Sequence, residues 1–283
     1  MSHEPVPRKG SLPATDVQQF RAALKSVLDE CDAQGRCWGD SPWGVYAFYD
    51  YDGEPIYVGQ TNEKLRVRVQ RHLTNQRTDA VAMRILDVFE VAEIELWPLW
   101  SLSGKPTTDA AARSQLNTVE YTAYLQAIEH SRFQAILNEK IPPVSTRGEL
   151  PPSLRRPLIS AEMRADRGHP DIRIARRAET ISRLSAVARE RGEVSEGLRR
   201  VLVIQAIRLA YLSAERLAYV TGRTRPDPAA IDTERLIGSV LSERPVLSEG
   251  PVLSERPVPA ERPVPAERPE PAEDPALFDA LEF

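Results

Sequence analysis

The sequence predicts an α/β fold: a small three-stranded sheet flanked by helices, followed by a helical C-terminal region and a disordered, proline-rich tail. Three observations carry this expectation. Gly44 to Tyr49 (G-V-Y-A-F-Y) and Pro55 to Gly59 (P-I-Y-V-G) are dense in β-branched and aromatic residues. They are joined through Asp52-Gly53, a dipeptide favoured in tight hairpin turns. Apolar residues then recur at helical spacing in several long segments. From Arg244 onward the chain repeats every six residues, with proline in every unit.

Residues 1–14 are polar and proline-bearing and read as a flexible leader. Thr15 or Asp16 caps a helix whose apolar positions Val17, Phe20, Leu24, Val27, Leu28 and Cys31 line one face, and Gly35 suits its stop. The hairpin strands follow. Glu63 to Gln76 reads as a helix, and Thr78 or Asp79 caps another to about Val88. Val91 to Trp97 alternates as a third strand, and Thr108 or Asp109 opens a long helix to about His130. Residues 15–142 are thus expected to form one domain behind the leader.

Pro151-Pro152 and Pro157 mark residues 143–177 as an arginine-rich linker. Residues 178–191 and 195–220 then read as two helices broken at Gly192, with Ser195 as cap, inside a helical hairpin region spanning 178–240. The second helix is apolar around much of its circumference and must be covered, by its partner helix, by the preceding domain or by a second copy of the chain. In residues 241–275 the hexads RPVLSE, GPVLSE, RPVPAE, RPVPAE and RPEPAE exclude helix and sheet alike. They read as a disordered spacer that spans about 90 Å if fully extended as polyproline II. Residues 276–283 (ALFDALEF) regain apolar character and form a short motif suited to a protein partner.

The net charge of −4 conceals an asymmetry. Residues 147–200 carry 13 arginines against 8 acidic residues, and residues 226–283 carry 13 acidic residues against 5 arginines. Such a division is a prior for nucleic-acid contact on the basic portion. Cys31 and Cys37 are the only cysteines, too few and wrongly spaced for a zinc site, and they suggest a reducing compartment. No signal-peptide pattern and no run of 18 apolar residues is present, so a cytoplasmic location and no membrane contact are expected.

Six positions in order carry a family resemblance. Gly44-Val45-Tyr46 and Tyr57-Val58-Gly59 are followed by Arg68 and His72 on a helix, Glu120 on the long helix, and Asn138 in Ile136-Leu137-Asn138. This pattern, from about Trp43 to Pro142, resembles the GIY-YIG nuclease superfamily. The order strand, strand, helix, helix, strand, helix that the resemblance implies is the one the periodicity gives independently. The resemblance implies a metal-dependent endonuclease that hydrolyses phosphodiester bonds in DNA, with RNA left open. It assigns Tyr46 and Tyr57 to base chemistry, Arg68 to the phosphate, Glu120 to a single Mg²⁺ or Mn²⁺, and Asn138 to orienting Tyr or Glu.

The residues suit that chemistry. Hydrolysis needs a base for water, positive charge on the phosphoryl oxygens and help for the departing 3′ oxygen. Tyrosine ionises near pH 10, so a phenol base needs the charge of Arg68 to lower that value. Arg68 and His72 lie four apart on one helix face, with Leu65 and Val69 turned to the core. Arg66 and Arg71 are expected on the nucleic-acid backbone, beside Gln60 and Thr61. Many family members carry lysine where Gln60 stands, and its loss makes His72 a better proton acceptor. The competing expectation is a nucleic-acid-binding or partner-recruiting protein that keeps the fold and cuts little. A double-strand cut would need a homodimer or two visits.

Overall fold

A β-hairpin organises the molecule in the computed structural model, which describes residues 13–74 and 85–239. Strands β1 (Gly44–Tyr49) and β2 (Pro55–Thr61) pair antiparallel, with Tyr46 opposite Gly59 and Phe48 opposite Tyr57. β3 (Glu93–Pro98) pairs with the other edge of β1, placing Leu96 opposite Tyr46. Every residue of β1 is buried, as befits a central strand. A fourth strand, β4 (Leu154–Pro157), pairs antiparallel with β3, giving the order β2-β1-β3-β4 where three strands were expected.

β4 escaped the sequence pattern because it is four residues long and only Leu154 is buried. Its proline is tolerated because the strand lies at the sheet edge. What holds it is charge and stacking: Arg155 bonds Glu93 at 3.0 Å and lies 3.6 Å over the Tyr49 ring. Leu158 and Ile159, just beyond, enter the core. Residues 143–177 therefore contribute to the sheet rather than only linking domains.

Helix α1 (Thr15–Asp29) buries Phe20, Leu24, Val27 and Leu28, the predicted face. It stops before Gly35, because Cys31 and Cys37 face each other across an isolated antiparallel bridge and are joined as a disulfide. α2 (Leu65–Thr74) starts two residues late, since the Thr61 hydroxyl accepts from the Glu63 amide and holds a turn there. Residues 75–84 lie outside the described residues, and most of the helix expected from Thr78 falls there. Its expected end, Val88–Glu90, is a short 3₁₀ turn capped by Asp87. α3 (Ala110–His130) has the predicted Asp109 cap, whose side chain accepts from the Ala112 amide.

The C-terminal region comprises α4 (Ala161–Arg167), α5 (Pro170–Arg191), α6 (Glu196–Val220) and the short α7 (Thr233–Ile237). Gly192, at φ +67°, ends α5, and Ser195 caps α6, both as expected. α6 packs on α5, and its Leu198, Val201 and Ile204 join the same core as the sheet. The apolar circumference is thus largely covered within the chain.

Many arginines of this region are spent within the chain, while Arg183, Arg189, Arg191 and Arg199 stay exposed. Asp50, buried at the hairpin turn, receives Arg208 at 2.8 Å, Arg177 at 3.0 Å and Arg173 at 3.1 Å. Glu90 takes Arg176 at 2.8 Å and Arg177 at 3.1 Å. Arg164 reaches Glu93 and Arg156 reaches Glu30. These inward arginines dock the C-terminal helices on the sheet and its hairpin turn.

The leader up to residue 12, the hexad repeat and the terminal motif lie outside the described residues. No helix among the described residues is long and apolar enough to cross a membrane.

Candidate active site

Alternation along β1 sends Tyr46 and Phe48 to one face, and pairing sets Tyr57 beside them. The Tyr46 and Tyr57 rings lie 6.2 Å apart. Directly across from Tyr46, Gly59 leaves room for the phenol: a Cβ there would come within 2.8 Å of the Tyr46 hydroxyl. Glycine at that position is a steric requirement of the tyrosine.

α2 delivers the next two groups. Leu65 and Val69 are fully buried, which turns Arg68 and His72 toward the tyrosines. His72 Nδ1 lies 3.1 Å from the Tyr46 hydroxyl, and its ring meets Tyr57 edge-on at 4.7 Å. Arg68 is half-buried among Tyr46, Tyr57 and Glu120, and its buried Nε has no hydrogen-bond partner among the described residues. Arg66, two positions away, points elsewhere. It bonds Asp29 at 2.8 Å, Asp40 at 3.0 Å and the Leu28 carbonyl at 3.2 Å.

Glu120 comes from the buried face of α3 and is only 8% exposed. No hydrogen bond or ion pair reaches its carboxylate among the described residues. Burial pushes its pKa up to about 7, against the pull of Arg68. Burial, with Arg68 adding to it, pushes His72 down to about 4. Both phenols are also raised by burial, and Arg68 opposes this without reversing it. The sequence reading asked Arg68 to lower the phenol pKa. Desolvation wins instead, so Tyr46 keeps its proton beside a neutral His72, and the tautomer of the imidazole sets which of the two donates.

Asn138 departs from its expected role. Its Oδ1 accepts from the Val58 amide at 3.0 Å and its Nδ2 donates to the Val58 carbonyl at 2.7 Å. It secures the open edge of β2 between Tyr57 and Gly59 rather than bonding Tyr or Glu. The four expected nucleic-acid contacts are already engaged within the chain: Arg66 as described, Arg71 with Glu63, and Thr61 with its own turn. Gln60 donates from Nε2 to Asn117 Oδ1 at 3.1 Å. Asn117 was not singled out in the sequence, and the available signal was its place one turn before Glu120.

One largely buried carboxylate with no hydrogen-bond donor among the described residues fits a cation that keeps most of its waters, as Mg²⁺ does. It does not make a closed cage, and no cluster of three or more His, Cys, Asp or Glu suited to a metal exists among the described residues.

Comparison with known proteins bears on this constellation. The GIY-YIG catalytic domain family matches residues 42–103, which include Tyr46, Tyr57, Arg68 and His72 and stop short of Glu120 and Asn138. Comparisons with curated proteins and with solved structures gave no significant match. Over the segment that holds both tyrosine triplets, the chain is similar to the GIY-YIG nuclease superfamily.

Proposed function

We propose that this protein is a metal-dependent endonuclease that hydrolyses phosphodiester bonds in DNA. The reading is carried by one observation: two tyrosines, a histidine, an arginine and a carboxylate with no hydrogen-bond donor among the described residues, drawn from four separate elements, converge on one place. A binding role alone has no use for all five.

In this mechanism Tyr46 receives a proton from the attacking water as it passes its own to His72 Nδ1. Both partners are neutral near pH 7, so the relay needs no free phenolate. Arg68 meets the charge that grows on the phosphoryl oxygens, and its unpartnered Nε is available for one of them. An anionic phosphate beside Arg68 also offsets the charge that depresses His72, making the imidazole a better acceptor once substrate is in place. Tyr57 packs the His72 ring in position. Glu120 would hold Mg²⁺ or Mn²⁺, which supplies positive charge for the departing 3′ oxygen.

The test uses the full-length chain with supercoiled plasmid and Mg²⁺ or Mn²⁺. Nicking is expected, and Arg68→Ala and Glu120→Ala should each lower its rate by at least about 10² with DNA affinity little changed. Tight DNA binding without nicking under any metal would replace this reading with that of a binding protein.

A further inference from the structure

Gln60 follows Gly59 at the end of the catalytic hairpin. Its Nε2 is spent on Asn117, but its Oε1 is buried and meets no donor among the described residues. Asn117 and Glu120 lie three apart on α3, so they are neighbours on one helix surface. The Glu120 carboxylate, which has Arg68 as its charged neighbour, accepts no hydrogen bond among the described residues. An orphaned amide oxygen and a carboxylate are therefore reached through adjacent turns of one helix.

Buried acceptors are normally satisfied, and a bare one in a functional site wants an explanation. A side chain present only to bridge β2 to α3 gains nothing from an orphaned oxygen. A hydrated cation satisfies both groups together, because Mg²⁺ retains several waters that can donate outward. We propose that Gln60 is a positioning residue for the cation at Glu120. Its Oε1 accepts from a water of the ion's hydration shell, while Nε2, through Asn117, fixes α3 against the hairpin. This inference rests on the reading of Glu120 as the cation's carboxylate.

The experiment is a Mn²⁺ titration of the full-length chain without nucleic acid, followed by water-proton relaxation. Gln60→Met, which removes the acceptor at similar length, should weaken Mn²⁺ binding about 10- to 100-fold, as losses around a metal's ligands commonly do. Gln60→Glu, which keeps an acceptor, should bind at least as well as the parent. Nicking by Gln60→Met should recover as Mg²⁺ is raised, which a general packing defect would not allow. If Gln60→Met fails to fold, Gln60→Asn, with its amide a methylene short, is measured with the same expectation.

Glu120→Gln separates the two claims. Unchanged Mn²⁺ affinity in Gln60→Met, with affinity lost in Glu120→Gln, overturns the role of Gln60 and leaves the cation reading standing. Equal weakening in Gln60→Met and Gln60→Glu also overturns it. Unchanged affinity in Glu120→Gln removes the cation reading, and Gln60 with it.

Discussion

Glu120 and His72 hold shifts of opposite kind that arise from the same burial. A carboxyl raised to about 7 keeps a proton in the folded state that the unfolded chain has already lost above its ordinary value near 4.5. Its contribution to stability therefore falls as pH rises from about 4.5 to 7. Glu120→Gln removes that penalty. It should stabilise the fold at pH 8 by on the order of 2–3 kcal/mol, with the gain vanishing near pH 4.5. Urea unfolding at the two pH values measures this, and equal stability gains at both would refute it. The proposed cleavage should run the other way, since a cation at Glu120 would need the ionised carboxylate. The rate should rise with pH through about 7, and more Mg²⁺ should move that rise to lower pH. His72, lowered to about 4, contributes stability that is complete above its ordinary 6.5 and lost as pH falls toward 4.

At the scale of elements, β2 is an edge strand whose outer side would be open without the segment after α3. The Leu137 amide donates to the Ile56 carbonyl at 2.8 Å, and Asn138 takes both polar groups of Val58. An edge secured in this way offers no backbone to another chain there and keeps Tyr57 and Gly59 in register. Asn138→Ala would leave a buried amide and carbonyl unpaired, a cost on the order of 2 kcal/mol. Amide exchange at Val58 should quicken more than in β1, and unchanged protection at Val58 would contradict the assignment. α2 is fixed by the same logic. Arg66 ties it to α1 and to Asp40, while Arg68 lies outside that clamp, among Tyr46, Tyr57 and Glu120.

On the scale of the whole molecule, the helical pair α5–α6 is bound to the hairpin turn through buried charge. Burial works to raise the Asp50 carboxyl, yet Arg208, Arg173 and Arg177 outweigh it and hold the group below its usual range. Replacing such a network wholesale by apolar residues can be neutral, but removing one partner strands the rest. Asp50→Asn keeps the turn's acceptor oxygen for the Asp52 and Glu54 amides while withdrawing the charge. It should cost about 3–5 kcal/mol in urea unfolding. A loss below about 1 kcal/mol would mean the guanidiniums are satisfied without it.

The hairpin, α2, α3 and the break at Gly192 were legible in the chain because each is set by local causes: strand alternation, a turn dipeptide, cap residues and helical spacing. The gathering of Tyr46, Tyr57, Arg68, His72 and Glu120 was expected from the GIY-YIG resemblance that their types and order carry, not from local causes. The fourth strand was not legible, since Leu154–Pro157 has no alternation to read and exists only against Glu93 and Leu96. Nor was the fate of the arginines, because charge in a sequence looks the same whether it faces water or a buried Asp50. The pKa directions belong to the same class: residue identity fixes which groups titrate, and only packing fixes how much water they lose. Sequence alone determined the elements and the chemistry they bring together; tertiary structure decided which charges are spent on the fold and which remain for a substrate, because desolvation and pairing are properties of neighbours distant along the chain.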